Sequence, residues 1–170
     1  TNAVYGFTSM LRKLIEEQKP DYIGVAFDLE GPTVRHEKFA SYKATRKPMP
    51  EDLVLQVPYI RRVCDVFRVP VIGYQGYEAD DVIGTLAKQA VARGITAMVV
   101  TSDKDMLQLV SERVFVIDPM KENLVYDPEK VVEKMGVRPE QVPDLLGLWG
   151  DSVDNIPGVP GIGEKGAKEL

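Results

Sequence analysis

Residues 95–101 (ITAMVVT) form an unbroken β-branched and apolar run that ends directly in Ser102-Asp103. Such a run suits a strand buried on both faces, as in a parallel sheet. A second short run, residues 22–27 (YIGVAF), ends the same way in Asp28. Between and after them lie segments of helical spacing. Asn2 to Gln18 places Val4, Phe7, Met10, Leu11, Leu14 and Ile15 on one face, with Thr1 or Asn2 as N-cap and Pro20 as stop. Residues 51–67 read as a helix bent at Pro58, and residues 69–73 as a short strand. Residues 79–93 read as a helix closed by Gly94. Residues 104–110 form a short helix and 114–117 a strand; helices at 128–135 and 139–149 each carry Pro in the first turn. This β-α alternation predicts an α/β fold with a mostly parallel central sheet flanked by helices.

In such a sheet, acids at strand ends converge on one edge. Eight carboxylates fall in four clusters, each where an apolar run ends or a helix is about to begin: Asp28; Glu78, Asp80 and Asp81; Asp103 and Asp105; Asp151 and Asp154. A lone Asp after a strand is ordinarily a turn residue or a cap. Capping explains one or two acids of EADD at the start of a helix, but not why further strands also finish in Asp. A crowd of carboxylates ionises together only around positive charge. The ligand types select the ion. His36 is the single histidine and Cys64 the single cysteine, which excludes a His/Cys zinc site within the chain. All-oxygen ligation suits Mg²⁺ or Mn²⁺, and a pair of such ions implies phosphodiester hydrolysis without a side-chain nucleophile. His36 is expected as an exposed loop residue and Cys64 as a buried apolar filler.

Net charge is −5, yet setting the eight clustered acids aside leaves 18 against 21 Lys and Arg, a remainder of about +3. Charge distribution therefore leaves nucleic acid open as a partner. No apolar run is long enough to span a bilayer, and one cysteine permits no internal disulfide, in keeping with a cytoplasmic setting. The start at Thr1 and the close of the chain within a helix-like segment lead to the expectation of a fragment cut at both ends.

Two further segments point to nucleic acid. Residues 29–50 carry Arg35, Lys38, Lys43, Arg46 and Lys47 interleaved with Phe39 and Tyr42. Cations for phosphates and rings for bases suit a single strand. The tail DSVDNIPGVPGIGEKGAKEL places Gly158, Gly161 and Gly163 in a tight turn ahead of Lys165 and a helix at about Glu164. Small residues there let backbone N–H groups approach a phosphate, the pattern of a helix–hairpin–helix that grips duplex without reading sequence. A P-loop is excluded because the Gly-Lys-Ser/Thr ending is absent.

GYEADDVIGTLA, TSDKDMLQLV and GDSVDNIPGVPGIGEKGA resemble the 5′-nuclease (5′-3′ exonuclease) domain of bacterial DNA polymerase I, in the flap-endonuclease family. AFDLEGPTVRHEKFASYKATRKPMPEDL resembles that family's second acidic strand and helical arch, so the likeness covers essentially the whole chain. The resemblance implies a metal-dependent nuclease removing 5′ flaps, RNA primers or damaged strands ahead of a polymerase domain in the same chain. It implies first-metal roles for Asp28, Glu78, Asp80 and Asp103, and second-metal or outer-shell roles for Asp81, Asp105, Asp151 and Asp154. Lys43 and Arg46 match arch cations at the scissile phosphate. The hairpin at Gly158 to Gly163 matches the duplex-binding element, which in relatives holds K⁺. The implied layout is a nuclease core over 1–150, including the arch at 29–50, and the start of the helix–hairpin–helix at 151–170, in a cytoplasmic bacterial monomer. The family also places another acidic strand ahead of the position of Thr1, so the isolated fragment is expected to be weak or inactive. The rival readings are a stand-alone flap endonuclease, a PIN-type ribonuclease, and a DNA-binding module without catalysis.

Overall fold

A computed structural model describes all 170 residues, Thr1–Leu170. In chain order the elements are α1 (Asn2–Gln18), β1 (Val25–Ala26), α2 (Val34–Lys38), α3 (Glu51–Val54), α4 (Val57–Phe67), β2 (Val71–Ile72) and α5 (Ala79–Ala92). They are followed by β3 (Ala97–Val100), β4 (Val114–Asp118), β5 (Leu124–Tyr126), α6 (Pro128–Met135), α7 (Val142–Trp149), β6 (Gly150–Asp151), β7 (Ile156–Pro157) and α8 (Glu164–Glu169). Single 3₁₀ stretches lie at Lys104–Leu109 and Pro139–Gln141. No helix is long and apolar enough to cross a membrane. The chain divides into two compact units, Thr1–Gly31 with Lys47–Ala79 and Pro32–Arg46 with Asp80–Leu170.

In the first unit the apolar stripe of α1 packs on α4. Leu11, Cys64 and Val69 are buried there, with Phe7, Ile15, Val25 and Val71 against them. Cys64 is fully buried, as an apolar filler should be. Thr1 stands at the N-cap of α1 without a side-chain bond. The orphan amide of Ala3 is instead met by Gln56 Oε1 at 3.0 Å, a long-range cap invisible to local pattern. The expected bend at Pro58 is a full break one turn earlier, between α3 and α4. Proline has no N–H to donate to the carbonyl four residues back, so the ladder fails before the ring rather than at it. β1 and β2 pair in parallel, Val25 against Val71 and Ala26 against Ile72.

In the second unit β3 and β4 are parallel over four residue pairs, and β5 adds antiparallel to the other side of β4. Val116, Val131 and Val142 are completely buried, with Leu107 and Leu145 beside them. The α/β class and the parallel pairs agree with the sequence pattern. The strands are gathered into three small sheets, since β1, β2, β6 and β7 have only two residues each. β5 went unpredicted, and its signal was Glu122-Asn123, two successive residues of positive φ (53° and 59°) that make the hairpin turn into it.

β6 and β7 form a second hairpin, with Gly150 opposite Pro157 and Asp151 opposite Ile156. Its neck is tight. A Cβ on Gly158 would stand 2.3 Å from the Trp149 carbonyl oxygen, and one on Gly150, at φ +85°, 2.4 Å from the Gly158 nitrogen. No side chain can yield to relieve either contact. Gly158→Ala is therefore expected to destabilise the protein by at least about 2 kcal/mol, against a few tenths for Gly163→Ala in open space. Urea denaturation of the two variants checks the difference.

Candidate active site

In the first unit Asp28 leaves β1 and turns to the start of α5, where its Oδ1 accepts the Ala79 amide at 2.7 Å. Glu78 is buried beside that amide in sequence. Asp28 is thus a cap as well as a candidate ligand, and the two roles fit one carboxylate with two oxygens.

The second unit carries the other six acids. Asp103 follows β3 and caps the 3₁₀ stretch, its Oδ1 accepting from the Asp105 amide at 2.9 Å. Asp105 stands one turn on. Its Oδ1 is buried without a hydrogen-bond partner; Lys104 Nζ lies 3.5 Å away, at the limit of reach. Burial, above all, and the Asp103 and Asp151 charges push the Asp105 carboxyl up, only partly offset by Lys104. Asp151, on β6, takes the Lys104 ammonium at 2.6 Å and also accepts the Val153 amide at 2.7 Å. Burial opposes its charge, but Lys104 and the Val153 and Asp154 amides win and hold its carboxyl below the usual value. The Lys104 ammonium is likewise disfavoured by burial, yet its hydrogen bond to Asp151 and the charges of Asp105 and Asp151 raise its pKa on balance. Lys104 also lies 5.6 Å from the Trp149 ring centroid. Asp151 lines two adjoining clefts of about 290 and 340 Å³, both shared with Ser152 and Ile156.

Asp80 and Asp81 lie in the first turn of α5, and the segment 32–46 meets Asp81 and Asp154. Arg35 grips Asp81 with both guanidinium nitrogens, at 2.5 and 2.8 Å. Arg46 binds Asp154 at 2.6 Å, Lys43 Nζ is 3.9 Å from it, and the Tyr42 hydroxyl donates to it at 3.1 Å. Two further bonds complete the seat: the Lys43 amide donates to the Asp154 carbonyl at 2.9 Å, and the Asn155 side-chain Nδ2 to the Ser41 carbonyl at 2.7 Å.

Two expectations need correction. Tyr42 is not available to stack on a base: it is 6% exposed, edge-on to His36 at 5.4 Å, with Lys43 over its ring. Its polar tip has a carboxylate partner, which is what lets a tyrosine bury. Nor is His36 an exposed loop residue. It lies half-buried at the start of α2, where the Thr33 amide donates to its Nδ1 at 3.2 Å. Phe39 remains exposed. Lys38 and Lys47 are exposed, and Lys165 projects from α8 toward Glu169 at 3.9 Å. In the hairpin, Gly161 adopts φ +84° and Gly163 caps α8.

Sequence reasoning passed over Lys104 and Asp118. Lys104 had a signal, a lone cation inside DKD. Asp118 had none beyond its place at the end of β4: it is buried and accepts the Ser102 hydroxyl at 2.6 Å and the Met120 amide at 3.0 Å, fixing the residue before Asp103.

No three acidic side chains stand together as a finished ligand set. Asp81, Asp151 and Asp154 each face a basic side chain instead. The donor chemistry nevertheless fits a hard divalent ion: the oxygens are carboxylate, and Asp105 Oδ1 is a buried anion lacking a hydrogen bond. Because Asp105 is raised, its ionisation lowers stability as pH climbs from the ordinary Asp value of about 3.9 through its folded value. Asp151 has the opposite sign, its stabilisation being lost as pH falls through its lowered value. Asp105→Asn is thus expected to melt above the wild type at pH 7 in EDTA, with the gap closing below about pH 3.9. Added Mn²⁺ should raise the wild-type melting temperature more than the variant's. Scanning calorimetry at several pH values checks both.

Residues 1–136 match the family of the 5′-3′ exonuclease N-terminal resolvase-like domain, and residues 137–170 that of the 5′-3′ exonuclease C-terminal SAM fold. The chain is 48% identical to DNA polymerase I of Caldicellulosiruptor bescii, covering all of this chain and 21% of that one. It is 44% identical to a 5′-3′ exonuclease of Aquifex aeolicus, covering 98% of this chain and 57% of that one. It thus spans only part of the relatives it matches. T5 5′-exonuclease, solved with divalent metal ions (zinc) bound, shares the fold at a TM-score of 0.82 and 22% identity, over 98% of this chain and 65% of that one. With matches spanning its full length, this chain belongs to the 5′-3′ exonuclease family.

Proposed function

We propose that the protein is a structure-selective 5′-nuclease that hydrolyses phosphodiesters at 5′ flaps with two Mg²⁺ ions, Mn²⁺ serving in their place. The observation that carries the proposal is the buried Asp105 oxygen, which has no hydrogen bond and only the Lys104 ammonium at 3.5 Å, set beside the Asp103 and Asp151 charges. A site that raises the cost of its own carboxylate is arranged for an incoming cation. Asp103, Asp105 and Asp151 are the residues of the second unit that would hold metal, with Asp80, Asp81 and Asp154 in further ligand or outer roles. Asp28 and Glu78 carry the corresponding roles in the first unit. When bound, such ions supply an activated water and a stabilised leaving oxygen.

The chain's own residues do the rest. Asp118 and Ser102 fix the loop that presents Asp103. Arg35, Lys43 and Arg46 are held close to carboxylates and carry the charge that suits a phosphate. Lys38 and Lys47 add charge along the same segment. The turn with Gly158, Gly161 and Gly163 and the neighbouring Lys165 would grip duplex backbone as a helix–hairpin–helix, with K⁺ as a candidate ion there. The domain reading remains a nuclease core over 1–150 and this duplex-binding element from 151. The substrates proposed are DNA flaps and RNA primers, in a monomeric cytoplasmic enzyme of replication and repair whose chain includes a polymerase domain. The likeness to DNA polymerase I supports that parent, and the likeness to the Aquifex exonuclease supports a stand-alone enzyme as the second reading. A T5 flap endonuclease variant has been solved with DNA and metal ions, which accords with both.

A labelled 5′-flap duplex tests the proposal. In the full-length protein, cleavage with Mg²⁺ is expected to fall by roughly two orders of magnitude or more in Asp103→Ala, with flap binding in EDTA retained. Arg46→Ala should slow cleavage as well. Tight, salt-sensitive binding with no metal-dependent cleavage by any form would make a non-catalytic DNA-binding module the better account.

A further inference from the structure

Tyr74 and Tyr77 are 67% and 44% exposed and meet edge to face, with ring centroids 5.6 Å apart. Neither ring belongs to the core cluster of the first unit. An edge-to-face pair covers only one face of one ring, so flat aromatic surface is left to the outside. The pair is also held in place. The Tyr77 amide donates to the Tyr74 carbonyl at 3.2 Å, closing a turn in which Gly76 takes φ +83°. Gln75, between them, donates its Nε2 to the Glu30 carbonyl at 3.0 Å, two residues past Asp28. Immediately beyond the turn come buried Glu78 and then Ala79, whose amide is bound by the Asp28 carboxylate at 2.7 Å. Rings and carboxylates are therefore one piece of structure, and Tyr77 is a single residue, about 3.8 Å along the backbone, from Glu78.

From this juxtaposition we infer that Tyr74 and Tyr77 form a stacking platform for one nucleobase of the substrate strand, next to the phosphodiester that is cut. The inference rests on the nuclease reading above and adds to it a base-contacting element outside the basic segment. A nucleobase is uncharged, flat and matched to a ring face. Every base has such a face, so the contact sets the position of the strand with little regard to sequence. The arrangement also supplies an aromatic contact that Tyr42, being buried, does not.

The test uses three 5′-flap duplexes: one intact, and one abasic on each side of the scissile phosphodiester. Binding is read by fluorescence anisotropy in Ca²⁺ and cleavage in Mg²⁺. The Tyr74→Ala/Tyr77→Ala protein is expected to bind the intact flap roughly tenfold more weakly than the wild type. Tyr74→Phe/Tyr77→Phe, which keeps both faces, should bind as the wild type does. On one of the abasic flaps the wild type should lose the same factor and the alanine variant should lose nothing more. The phenylalanine variant should melt with the wild type, and the alanine variant, which loses the ring–ring contact, within a few degrees of it. Equal binding of the intact flap by wild type and alanine variant would overturn the inference and leave the nuclease intact. The same loss on all three flaps would also overturn it, as would failure of the phenylalanine variant. A wild type that bound no flap DNA would overturn the nuclease reading, and this inference with it.

Discussion

Lys104 on Asp151 is the contact on which the second unit's acidic region depends. Its ammonium lies 2.6 Å from Asp151 and 3.5 Å from Asp105, and it rests near the Trp149 ring. Without a cation there, Asp103, Asp105 and Asp151 would crowd negative charge into a partly buried place, which folding tolerates poorly. The same device recurs twice in the unit, as Arg35 on Asp81 and Arg46 on Asp154. Asp81, Asp151 and Asp154 thus each have a basic side chain close enough to neutralise them. Loading with divalent ions would exchange one counter-charge for another rather than create a charged site from nothing.

The compensation is incomplete, and the shortfall is informative. Asp105 keeps a buried oxygen with no hydrogen bond, although a carboxylate so placed normally finds one. Asparagine at that position would relieve the repulsion. A residue that lowers stability where an isostere would not is retained for chemistry more often than for packing. Asp28 and Asp103 show the opposite economy: each caps the start of a helical segment and still presents a second carboxylate oxygen.

Much of this was legible in the sequence because short-range rules sufficed. Helix α1, the burial of Cys64, Gly94 closing α5 and Pro128 opening α6 follow from periodicity, proline and glycine alone. What was missed is long-range. The Gln56 cap on α1, the Asp118 bond to Ser102 and the Asp154 seat for Tyr42 join residues 16 to 112 positions apart. Tyr42 reads as a stacking ring in its own segment because basic neighbours surround it. The carboxylate that draws it inward lies far along the chain. The eight acids were singled out by their position where an apolar run ends or a helix begins, but their individual partners were not, since pairing depends on which helix or loop comes to rest nearby.

The most direct measurement is diffraction from crystals grown in Mn²⁺, with anomalous scattering collected to place the ion. The account predicts an anomalous peak about 2.1 Å from carboxylate oxygens of Asp103, Asp105 or Asp151, with the Lys104 ammonium moved off Asp151. A map with Lys104 still on Asp151, Asp105 Oδ1 still without a hydrogen bond or metal and no manganese among these acids would contradict it.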